Sequence, residues 1–187
     1  MENQIRQVIR NSLLDIQVEL GEEFDRNFER KAFFAKAWQR RCGTHKEGKP
    51  LLIDTGALRR SISSSINGNR ITFTSTEPYA ETHNSGGTII VTQKMRRYFW
   101  YKYKEAMGGF AYTRKGEKRS DKRNRELTAE AEFFRAMALK RVGSKIIIPR
   151  RQFIGMAPEV EEMVRNIIEE NLNDFFNNGQ ISISVKQ

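Results

Sequence analysis

The sequence has little of what enzymes and secreted domains commonly use: one cysteine and two histidines in 187 residues. Cys42 alone forms no internal disulfide, and no His or Cys lies around it at zinc-ligand spacing, so it reads as an ordinary free thiol. No run of about 18 apolar residues occurs, which excludes a transmembrane helix and leaves no expected membrane partner. The opening Met1-Glu2-Asn3-Gln4-Ile5-Arg6 lacks the charged-then-apolar pattern of a signal peptide, and a cytosolic compartment is expected. Internal repeats at solenoid periods are missing. Neither His45 nor His83 belongs to a metal-binding pattern, and no metal or cofactor is expected. Gly86-Gly87 and Gly108-Gly109 lack phosphate-loop spacing and the Lys-Ser/Thr that follows it.

What is present suits one α+β domain over residues 1–187, with 38% apolar residues for a core. The net charge is +10, and its location is informative. Residues 94–145 hold 16 Lys+Arg against 6 Asp+Glu, while the rest of the chain has 17 of each. A nearly neutral fold with a basic helical insertion, about 93–145, follows from that segregation.

One stretch organises the chain: Leu51-Leu52-Ile53-Asp54-Thr55-Gly56-Ala57-Leu58-Arg59-Arg60-Ser61-Ile62. It reads as a buried strand or extended arm, a tight corner, and a new start at Leu58. Asp54 is expected to cap the corner through its side chain, and Gly56 to supply a backbone conformation closed to most residues. Before it, Ile5, Val8, Ile9, Leu13, Ile16 and Leu20 mark an amphipathic helix, ending near Gly21 or continuing through Phe28. Residues 26–39, with Phe28, Phe33, Phe34 and Trp38, read as a further helical stretch with core aromatics, and 41–50 as a polar loop that solvates His45. After it, Asn67-Gly68-Asn69 turns a hairpin of 61–66 with 70–76. Pro78 opens a short helix over 79–84, stopped by Gly86-Gly87, in which Tyr79 and His83 share a face for a structural or interface role. Strand 88–92 follows, then helices over 93–107 and 126–141, strand 146–148, a helix from Pro158 to Phe176, and strand 181–185 by strict alternation. The whole makes a small antiparallel sheet flanked by the N- and C-terminal helices.

No catalytic constellation emerges. A general base needs a nucleophile and an orienting partner, and the sequence names neither, so an enzyme is not expected. Asp54-Thr55-Gly56 is also the short triplet of aspartic proteases, but helical ends do not fit their β fold. The segment 113–125 has no apolar residue and is expected to be mobile. Its Arg114, Lys115, Lys118, Arg119, Lys122, Arg123 and Arg125 are candidate phosphate contacts. Tyr98, Phe99, Trp100, Tyr101 and Tyr103 either stack on bases or pack the insertion's helices.

Three motifs stand in order: the Leu-Ile-Asp-Thr-Gly corner with Leu58 and Ser61, then Tyr79-Ala80 with His83 and Gly86-Gly87, then Pro149-Arg150-Arg151-Gln152-Phe153-Ile154-Gly155. Together with a closing helix they resemble the phage virion morphogenesis family, the tail completion proteins of Mu-like and P2-like tailed phages. Many members are shorter between Gly87 and Pro149. The resemblance implies a structural protein that finishes the tail or joins it to the head. It also implies a homo-oligomeric ring, with six copies matching tail symmetry, and other tail or neck proteins as partners. The alternative is a nucleic-acid-binding module working through the basic segment 94–145, and the two readings meet if a basic ring lining makes transient contact with DNA passing through the neck. Assembly in the host bacterial cytoplasm and residence in the virion are expected. Loops at Gly86-Gly87 and at 149–153 would then present residues to neighbours, with Phe153 an anchor and Arg151 an ion-pair donor.

Overall fold

A computed structural model describes residues 2–40 and 50–178. Cys42, His45 and the strand expected over 181–185 lie outside the described residues. The chain divides into two compact units, residues 1–38, 55–80 and 151–187 in the first and residues 39–54 and 81–150 in the second.

The first unit is built on helix α1, Glu2–Arg30. Ile16, Leu20, Phe24 and Phe28 recur every four residues along it and are all buried. Burying each such side chain contributes about 1.5–3 kcal/mol. The helix therefore runs past Gly21 without a break. It does not reach residue 39 as the aromatic spacing suggested. Lys31 and Phe34 take left-handed backbone angles, φ 56° and 49°, and a helix cannot pass through them. Instead β1 (Ala32–Phe33) and β2 (Lys36–Ala37) pair antiparallel. The turn keeps Phe33 and Trp38 buried in a non-helical chain.

Helix α2 (Ala57–Arg60) leads into the hairpin β3 (Ile62–Asn67) and β4 (Arg70–Ser75). Its register, Asn67↔Arg70 to Ile62↔Ser75, leaves Gly68 and Asn69 as a two-residue turn, as the Asn-Gly-Asn signal required. Alternation puts Ile71 and Phe73 on the face toward α1, where Phe73 meets Phe24 edge to face at 4.9 Å. Helix α6 (Pro158–Asn178) lays Val160 and Ile167 against the same cluster. Pro158 and the acidic Glu159 and Glu161 in its first turn suit a helix start.

Helix α3 (Ala80–Ser85) marks the passage from the first unit to the second. In the second unit, β5 (Gly87–Ile90) pairs antiparallel with β6 (Lys145–Ile148), from Gly87↔Ile148 to Ile90↔Lys145. The α+β architecture with flanking terminal helices is as expected, and among the described residues its antiparallel strands form three two-stranded ladders, since β5 finds β6 and not the hairpin. Between them lie α4 (Gln93–Gly108) and α5 (Lys122–Leu139). Phe99 of α4 packs on Phe133 and Phe134 of α5 at 6.3 and 6.2 Å. Thr92 caps α4 by accepting from the Met95 N–H at 3.2 Å. Gly109 is its C-cap.

Helix α5 begins four residues earlier than the apolar pattern indicated. Asp121 accepts from the Asn124 N–H at 2.8 Å, a cap that starts the helix before its first apolar residue. The segment expected to be mobile carries specific structure instead. Asn124 is 2% exposed; its side chain accepts from Ala111 N–H at 3.0 Å and donates to the carbonyls of Ala111 and Arg119 at 2.8 and 2.6 Å. One polar side chain thus ties down a loop that has no apolar residue to bury.

Candidate functional site

The corner at 54–61 works differently from expectation. Leu51–Ile53 is a half-buried bend, not a strand, and Leu52 has φ 57°. Gly56 is the N-cap of α2 with φ 77°, and the Thr55 hydroxyl accepts from Ala57 N–H at 3.3 Å. Leu58 is buried and anchors the short helix. Ser61 closes it: the hydroxyl donates to the Leu58 carbonyl at 2.8 Å. With that proton committed, the Ser61 oxygen accepts from the Ser75 hydroxyl at 2.6 Å, and Ser75 in turn accepts from Glu77 N–H at 3.2 Å. This hydroxyl chain ties the corner to the far end of the hairpin.

Arg59 fastens the corner to α1. Its guanidinium forks onto the Asp25 carboxylate and reaches Glu29 at 2.7 Å. The hydrogen bonds from Arg59 hold Asp25 below its ordinary range, and those carboxylates raise Arg59. Arg30 and Arg26 likewise depress Glu23 on α1.

Residues 151–155 correct the sequence reading more sharply. Phe153 is fully buried and Arg151 is 7% exposed, so neither is a surface group that waits for a partner. Phe153 packs on Phe28 at 5.2 Å, and Phe28 meets Trp38 edge to face at 5.8 Å. Asn27, fully buried, donates to the Phe153 carbonyl at 3.2 Å and accepts from Phe34 N–H at 3.0 Å. The Trp38 indole donates to the Gln152 carbonyl at 2.6 Å. Gly155, φ 129°, turns the chain toward α6. The motif is therefore a buried latch holding the third chain segment of the first unit to α1. Sequence reasoning missed Asn27. The available signal was an amide on the buried stripe between Phe24 and Phe28, which only a satisfied hydrogen-bond pair permits.

Tyr79 is exposed in the turn before α3, and its phenol is pushed up by partial burial and the nearby Glu77 carboxylate. His83 lies half-buried within α3. Helix α3 itself starts at Ala80, one residue after Tyr79. Gly86 has φ 78°, and a Cβ there would lie 3.0 Å from the Arg150 nitrogen. The glycine lets the strand after α3 pass close to the chain leaving β6, beside half-buried Pro149. Gly87 then pairs with Ile148.

The basic candidates separate into two groups. Lys118 sits over the Phe110 ring at 3.3 Å and donates to the Thr128 hydroxyl, Arg119 lies 3.8 Å from Asp121, and Arg123 donates to the Gly109 carbonyl. All seven are exposed, so what separates Arg114, Lys115, Lys122 and Arg125 is not burial. Of the aromatics, Phe99 packs inward, while Tyr98 and Tyr101 are 53% and 62% exposed. Among the described residues no three His, Cys, Asp or Glu side chains gather as a metal site, and no helix is long and apolar enough to cross a membrane.

Gly56, Ser61, Gly86 and Phe153 thus turn, cap and latch the backbone of an α+β fold. The chain belongs to the phage virion morphogenesis family, whose model matches residues 31–173. Its role is in phage virion morphogenesis, in association with the virion. No curated protein and no solved structure matched the chain.

Proposed function

We propose that this protein acts in tail completion or head–tail joining, as a non-enzymatic ring of identical copies at the tail or neck. The family match over 31–173 carries this reading, and the structural work done by Ser61, Gly86 and Phe153 supports it. Assembly takes place in the host cytoplasm before the protein joins the virion. Its partners are copies of itself and other tail or neck proteins. Six copies would match tail symmetry. Electron microscopy of the purified protein is expected to show closed rings, and loss of the gene is expected to leave heads and tails unjoined. A chain that stays monomeric at high concentration, with infectious virions formed in its absence, would overturn the reading.

A second reading, contact with DNA, draws on the exposed Arg114, Lys115, Lys122 and Arg125. Counterion release demands that such binding fall steeply with salt. Substituting these four by alanine, which spares Asn124, is expected to abolish it. An unchanged salt slope would dispose of this reading.

A further inference from the structure

The two units carry opposite charge. Residues 39–54 and 81–150 hold 21 Lys+Arg against 9 Asp+Glu, a surplus of +12, whereas the rest of the chain holds 12 against 14, or −2. Each unit also displays one outward helix face of matching character. On α4, Lys94, Arg97, Tyr98, Tyr101 and Lys104 fall on one exposed stripe. The carboxylate beside it, Glu105, is held by Lys102 at 2.6 Å. On α6, Ile168, Leu172 and Phe176 are 39%, 39% and 57% exposed and stand four residues apart. Exposed Glu161, Glu162 and Glu169 flank them; Arg165, the one cation of the helix, lies on the same face, which keeps a net negative charge. None of these three carboxylates makes an ion pair with another described residue.

We propose that α6 of one copy docks on the outer face of α4 of the next. This deepens the ring reading above and rests on it. The apolar ridge of α6 would cover the tyrosines of α4, while its carboxylates meet the lysines and arginine. The α4 stripe from Lys94 to Lys104 runs about 15 Å and the α6 face from Glu161 to Phe176 about 22 Å, at 1.5 Å per residue. Like faces repel, so α6 does not pair with α6, nor α4 with α4. The contact therefore joins two different surfaces, the kind that propagates head to tail and closes into a ring. Nucleic acid would satisfy α4 but leaves the apolar ridge of α6 without an occupant.

Sedimentation velocity of the full chain tests this with two surface variants, Glu162→Lys/Glu169→Lys and Arg97→Glu/Lys104→Glu, each checked for a native melt. Wild type is expected to self-associate, less so as salt rises. Each variant alone is expected to lose association by on the order of tenfold or more. An equimolar mixture is expected to regain it, because each reversed face then meets its complement. Variants that associate like wild type, or a mixture that does not recover, would overturn the docking and leave the ring reading standing. So would an α4 variant that loses only DNA binding. A monomeric wild type would overturn both.

Discussion

The substitution Asn27→Asp changes one atom's chemistry in the buried latch and sets two hydrogen bonds against each other. The introduced carboxylate still accepts from Phe34 N–H, but it faces the Phe153 carbonyl where the amide donated at 3.2 Å. The site is fully buried, so a charge there is desolvated and opposed by a carbonyl dipole. The loss is about 2–4 kcal/mol near neutral pH, the range for leaving a buried polar group unsatisfied with some added repulsion. For a chain of this size that lowers the melting temperature by roughly 5–15 °C. The sign of the pH dependence is the sharper test. Burial raises the folded pKa of the introduced carboxyl above its unfolded value of about 3.9. The protonated acid again donates to Phe153, so stability is greatest below the unfolded pKa and is lost as pH rises through the folded one. Trp38 fluorescence reports on the site directly, in a Trp100→Phe background that silences the second unit. Thermal melts from pH 4 to 8 are expected to show the variant approaching wild type only at the acid end. A variant that melts within a degree or two of wild type at pH 7, or with no pH trend, would refute the latch.

Three further outcomes follow from the geometry. Gly56→Val forces a β-branched residue to φ 77° and is expected to cost about 1–3 kcal/mol in a denaturant titration, with Gly56→Asn milder. Gly86→Ala meets the Arg150 backbone at 3.0 Å and is expected to raise hydrogen exchange across Gly87–Ile90 and Lys145–Ile148. Asp25 and Glu23 are held below their ordinary values, so they stabilise the fold above the usual carboxylate range and lose that contribution as pH falls through their folded pKa values. Acid titration of Arg59→Ala is expected to be shallower than wild type, and its loss at pH 7 small, about 1 kcal/mol or less, because the Asp25 side chain is 47% exposed.

The elements were legible where pattern and chemistry agree. Asn67-Gly68-Asn69 specified its hairpin, and Pro158 with alternating acids and apolar residues specified α6. The pairing of β5 with β6 was not legible, because more than fifty residues separate Ile90 from Lys145 and local alternation does not name a partner. The start of α5 was hidden because a polar residue, Asn124, does the work expected of apolar ones. Burial of Phe153 was hidden by its neighbours: Pro149, Arg150 and Arg151 gave a loop the look of surface. The three signature motifs identified the family, and Gly56 took the left-handed backbone its place required, but one expected role changed. Thr55 joins the corner as an acceptor from Ala57 N–H, and Phe153 turned from anchor to core.

The latch also dictates an order of events during synthesis. Asn27 and Phe153 are 126 residues apart, and α1 finds its main covering in α6, which begins at Pro158. A ribosome adds about 5–20 residues per second, so the buried stripe of α1 emerges roughly 6–25 s before its cover exists. The second unit, whose segments end at residue 150, is translated whole within that interval. The hairpin and the turn after α1 can shelter Phe24 and Phe28 early, through Phe73, Phe33 and Trp38, but a nascent chain truncated before Phe153 lacks the α6 side of the cluster around Ile16 and Leu20.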